Sequence, residues 1–99
     1  MTIEERKDGE VLTLVIEGKV DTITAPNLQN SILQAFQKSI NVTLDFNNVE
    51  YVSSAGLRAL LIGQKTAQSK KGSMVITGVN DTVKKVLELS GIGNLLSIQ

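Results

Sequence analysis

The segment from Val11 to Glu17 is apolar on both of its alternating faces: Val11, Leu12, Leu14, Val15 and Ile16 leave only Thr13 and Glu17 polar. A strand of that kind lies inside a sheet covered by helices, because a strand with one face in water alternates. Asp8-Gly9 precedes it, and Asp-Gly favours the positive backbone angles of a tight hairpin turn. Thr2–Lys7 therefore reads as an antiparallel edge strand beside Val11–Glu17, and Gly18–Ile23 as the loop that leaves it.

Helical spacing follows. Leu28, Ile32, Ala35 and Phe36 recur on one face, with Thr24 as a candidate cap and Pro26 suited to the first turn. Val42, Leu44 and Phe46 alternate, so Asn41–Phe46 reads as a strand and Asn47-Asn48 as a turn. A second helix opens at Ser53 or Ser54, buries Leu57, Leu60 and Leu61, and ends at Lys70-Lys71-Gly72. Gly56 and Gly63, seven apart, permit close packing on it. Ser73–Thr77 is a further strand. Asp81 can cap a third helix that turns Val83, Val86 and Leu87 inward, and Gly91 stops it in a left-handed conformation. Leu95 and Leu96 dock a short final turn. The order β-β-α-β-α-β-α predicts a single α/β domain over residues 1–99. Its sheet is four-stranded, mixed and mostly parallel, with an N-terminal antiparallel hairpin and three to four helices joined by right-handed crossovers.

Composition narrows the function. The 99 residues carry ten basic and ten acidic side chains and no His or Cys. A balanced charge gives no basic face for nucleic acid, and Lys70-Lys71 and Lys84-Lys85 read as solvated. Without His or Cys there is no Ser-His-Asp triad, no Cys nucleophile and no ordinary zinc site. The glycines form no phosphate-cradling loop. A charged start and short apolar runs suit neither a signal peptide nor a membrane span. These features predict a cytoplasmic protein with no catalytic residue, metal or cofactor of its own.

Chemistry concentrates where a strand end meets Ser53-Ser54. One serine at a helix start caps it by accepting a backbone N–H. A second is left with a free hydroxyl in the first turn, where a phosphate would meet the positive end of the helix. Capping alone and phosphorylation both fit that spacing. Arg58 lies one turn on and can pair with a phosphate or simply solubilise the helix. Ser54, Arg58 and Ile62 recur every four residues beside the buried stripe, and Ile62 is out of place on a solvated face. Asp21 suits a loop turn, and Asp45 at a strand end reads as structural.

The run from Leu44 through Asp45-Phe46-Asn47-Asn48-Val49-Glu50-Tyr51-Val52-Ser53-Ser54-Ala55-Gly56 to Leu57 resembles the signature of the STAS domain family, which joins sulfate transporters and anti-sigma factor antagonists. Gly18-Lys19-Val20-Asp21 with Thr24-Ala25 and Leu28, and the ending Val86-Leu87-Glu88-Leu89-Ser90-Gly91-Ile92, resemble it too. The stand-alone antagonists carry Asp-Ser-Ser/Thr-Gly-Leu. Aligned on Gly56-Leu57, their phosphorylated serine falls on Ser54. This chain differs from that form by Ser53 for the Asp and Ala55 for the Ser/Thr. The resemblance implies an anti-sigma factor antagonist, monomeric when free, whose partners are an anti-sigma factor that is also a serine kinase and a metal-dependent serine phosphatase. It implies that Asp21 and Ser54 belong to the partner surface. Two alternatives stand beside it: an unmodified STAS interaction module in a lipid-transport complex or stress-signalling scaffold, and a small enzyme or nucleotide-binding domain.

Overall fold

The computed structural model describes all 99 residues. Strands β1 (Thr2–Asp8) and β2 (Val11–Val20) form the hairpin, and helix α1 (Ala25–Lys38) follows. Strand β3 (Asn41–Val52), helix α2 (Ser54–Ser69), strand β4 (Ser73–Thr77) and helix α3 (Asp81–Ser90) come next. A 3-10 turn (Ile92–Leu95) and a two-residue strand β5 (Ser97–Ile98) end the chain. The sheet is thus five-stranded rather than four-stranded, in the order β1-β2-β3-β4-β5. Only β1–β2 is antiparallel.

That order decides where the core sits. Every parallel step moves the same way across the sheet, so right-handed crossovers place α1, α2 and α3 on one face. Burial agrees. Leu12, Leu14 and Ile16 on β2, Val42, Leu44 and Phe46 on β3, and Met74 and Ile76 on β4 are all buried and share one alternation. In register they form the rows Leu12–Val42–Met74 and Leu14–Leu44–Ile76. Helix residues Leu28, Ile32, Phe36, Leu57, Leu60, Val83 and Leu87 close the core above them. The expected cover on both faces of β2 is absent. Val11, Thr13 and Val15 face the uncovered side, where β-branched neighbours Thr43 and Val75 shield one another across the strands. The strand order also never reverses, so no switch-point crevice forms of the kind that holds nucleotides in doubly wound sheets.

Several boundaries differ from the sequence reading. β2 continues to Val20, where a loop was expected from Gly18. β3 runs through Asn47-Asn48 to Val52, and the register with β2 shifts there. Asp45 Oδ1 accepts from Asn47 N at 2.9 Å and from Asn47 Nδ2 at 2.8 Å, so a carboxylate braces a bulge inside the strand. Thr24 precedes α1 without capping it through its side chain. Asn80, not Asp81, caps α3: its Oδ1 accepts from Val83 N at 2.7 Å, and its Nδ2 donates to Val49 O at 2.9 Å. Leu61 and Val86 are half-buried; Leu96 is buried and Leu95 exposed. Gly91 takes the expected left-handed angle, φ 76°. At the end of α2 that role falls to Lys71, φ 57°, while Gly72 lies against the Ile40 carbonyl, where a Cβ has no room.

Candidate functional site

The site forms where β2 and β3 end side by side. Val20 pairs with Val52, and Ser53 N donates to Val20 O at 2.8 Å, which ties the start of α2 to the end of β2. Gly56 makes the close approach possible. A Cβ there would lie 2.7 Å from Val52 Cγ1 and 2.8 Å from Val20 Cγ1. Gly63 does the same one layer deeper, against Met74 Sδ and Ile32 Cγ2.

The two serines divide the work. Ser53 is extended (φ −85°, ψ 176°) at the cap position, and its Oγ accepts from Gly56 N at 3.4 Å, a long contact. Its carbonyl accepts the first intrahelical bond, from Leu57 N at 2.9 Å. Ser54 is the first helical residue and is exposed. Its hydroxyl makes no hydrogen bond within the chain, and it stands among first-turn N–H groups that have no intrahelical acceptor.

Asp21 holds the neighbouring loop. Its Oδ1 accepts from Ile23 N at 3.0 Å and Thr24 N at 2.9 Å. Thr24 Oγ1 accepts from Asp21 N at 2.9 Å. Its single proton serves Asp21 Oδ1 at 3.1 Å or the Lys19 carbonyl at 3.0 Å. The Thr24 backbone N–H first, then its hydroxyl, and with them the Ile23 N–H, hold the Asp21 carboxyl below the usual carboxylate range. Oδ2 stays open.

Arg58 is exposed and makes no ion pair within 4 Å. With Thr22, Ala25 and Ala55 it lines a shallow groove of about 220 Å³ between the starts of α1 and α2. The structure therefore brings Ser53, Ser54, Arg58 and the Asp21 loop to one end of the sheet. Ile62 is half-buried, so packing already accounts for part of its apolar character. The most exposed large apolar residue, Ile23, is also at this end, ahead of Tyr51 near the end of β3; sequence reasoning placed Ile23 only in a loop, and no local signal set it apart. A cavity of about 510 Å³ between α3 and the chain end includes none of these residues, and neither does an open depression of the same volume beside Met1, Glu17 and Asn48.

Residues 3–97 match the family model described as Mlab, STAS domain. The chain belongs to the STAS domain family. The anti-sigma-B factor antagonist of Listeria monocytogenes is 25% identical over 99 residues, which covers 98% of this chain and 85% of the relative. Among solved structures, an anti-sigma factor antagonist from Mycobacterium paratuberculosis superposes with a TM-score of 0.83 at 20% identity, covering 98% of this chain and 83% of that one. SpoIIAA in its unphosphorylated form gives 0.82 at 17% identity, covering 99% and 88%. Likeness at those identities shows the STAS fold, and within it the serine-bearing helix start of this chain is the element at issue.

Proposed function

We propose that this STAS domain is an anti-sigma factor antagonist whose binding is switched off by phosphorylation of Ser54. The observation that carries the reading is the division of labour at the start of α2: Ser53 occupies the cap and leaves Ser54 exposed with a free hydroxyl. Unphosphorylated, the chain binds an anti-sigma factor that is also a serine kinase and so frees a sigma factor for transcription. ATP, held by that partner, supplies the phosphoryl group. The Ser54 Oγ–P bond forms as the β–γ bridging bond breaks. ADP leaves, and the hydroxyl proton passes to a base of the kinase. A metal-dependent serine phosphatase hydrolyses the ester and restores the free hydroxyl. The chain acts as substrate and binding module in the cytoplasm, monomeric when free, and needs no cofactor.

Asp21, Ser54, Arg58 and the exposed flank of Ile62 form the partner surface. The switch works at that surface without refolding the domain. The positive end of α2 tolerates a phosphate of charge about −1.5 to −2, whereas a tightly packed partner must bury that charge unpaired, at a cost of several kcal/mol. Amide NMR spectra of the two forms test this. Shifts confined to the neighbourhood of Ser54, together with a large loss of affinity, are expected. Shifts spread through the sheet and α3 would show a conformational switch instead.

A second reading is an unmodified STAS interaction module in a lipid-transport complex or stress-signalling scaffold. It is favoured by Ser53 and Ala55 standing where the phosphorylated antagonists carry Asp and Ser or Thr. Mass spectrometry of the protein isolated from its own cells separates the two by the presence or absence of phosphate on Ser54.

A further inference from the structure

The loop between β2 and α1 is locked by bonds that ignore one of its side chains. Asp21 Oδ1 takes the N–H groups of Ile23 and Thr24, Thr24 Oγ1 takes Asp21 N, and Ala25 N donates to Asp21 O at 2.8 Å. Ile23 is thus fixed through its own backbone while its side chain is 85% exposed, the highest value among the exposed large apolar residues. Leu89, at 81%, is the next, and it sits at the end of α3, away from Ser54. Thr22, the neighbour of Ile23, lines the same groove as Arg58 and Ala55.

We propose that Ile23 is the apolar anchor of the anti-sigma factor contact, entering an apolar pocket on that partner whose rim carries a cation for Asp21 Oδ2. The proposal deepens the antagonist reading and rests on it. A β-branched side chain on an already ordered loop loses little freedom when it docks. The open Oδ2 beside it is a charged acceptor without a donor in the chain, so the complementary rim carries a Lys or Arg.

The test uses the purified anti-sigma factor of the source organism that is also a serine kinase, with calorimetry against wild type, Ile23→Ser and Leu89→Ser. Ile23→Ser should keep its Tm and weaken binding at least tenfold, about 1.4 kcal/mol. Leu89→Ser should stay within twofold of wild type. In the kinase assay Ile23→Ser should raise KM for the antagonist with kcat unchanged. Wild-type binding with Ile23→Ser equally tight overturns the anchor alone. A wild-type chain that does not bind overturns the antagonist reading and the anchor with it.

Discussion

Gly56→Ala should loosen the junction on which the site is built. The added Cβ would fall 2.7 Å from Val52 Cγ1 and 2.8 Å from Val20 Cγ1, and 3.3 Å from Val20 O. Unstrained carbon contacts lie at about 3.5–4.0 Å, so about 1 Å of movement is needed. Neither valine can yield easily. Both are fully buried, both are β-branched and stiff at χ1, and the backbone between them is tied by the Ser53–Val20 bond. Overpacking costs about 1–3 kcal/mol, and two stiff, fully buried valines put this site in the upper half of that range, about 2–3 kcal/mol, of which better helix propensity returns about 1 kcal/mol. A net loss of about 1–2 kcal/mol should lower Tm by roughly 5–15 °C. Gly63→Ala is the internal comparison. Its Cβ meets Met74 Sδ at 2.7 Å and Ile32 Cγ2 at 2.9 Å, and a thioether swings aside more readily, so its cost should be smaller. Urea unfolding of the three proteins decides. A Gly56→Ala protein as stable as wild type, or less affected than Gly63→Ala, would refute the reasoning.

Asn80→Ala should cost about 2 kcal/mol, since it removes the cap of α3 and the donor to the buried Val49 carbonyl together. Asp81→Ala should cost only a few tenths; equal losses in denaturant unfolding would contradict the assignment. Lys71→Gly should stabilise by about 1 kcal/mol, because a lysine now holds the left-handed position at φ 57°; a fall in Tm would argue against it. The folded Asp21 carboxyl lies below its unfolded value, so its contribution is complete above about pH 4 and is lost as pH falls through the folded value. Asp21→Asn should flatten the acid limb of stability against pH, and an unchanged limb would show that other carboxylates set it.

Much of the fold was legible locally. Ser73–Thr77 was readable to the residue, and Leu28, Ile32, Ala35 and Phe36 marked the buried face of α1, because periodicity reports burial directly. The serine pair at the start of α2 was legible for a different local reason: a cap needs only one of them. What escaped depends on partners distant in sequence or on competition between equals. Asn47-Asn48 looks like a turn until Asp45 satisfies the first of them inside a bulge. Asn80 and Asp81 are both good caps, and the bond to Val49 favours Asn80. Thr24 could cap α1 in isolation, yet Asp21 recruits it for the loop. The open sheet face follows from strand order, which no local pattern encodes, and two-residue β5 is too short to carry a period. Ile23 is an ordinary apolar residue in sequence; only the fold shows how far its side chain stands out.

The central claim is that one hydroxyl governs binding. The direct measurement is affinity for the purified anti-sigma factor before and after that kinase has phosphorylated the chain, with phosphopeptide mapping of the product. The account predicts a single phosphate on Ser54 and binding weakened at least a hundredfold, about 2.8 kcal/mol. Ser54→Ala should bind like wild type and resist inactivation, and Ser54→Asp should reproduce part of the loss. Phosphate found mainly on Ser53, or an affinity that phosphate on Ser54 leaves unchanged, would contradict it.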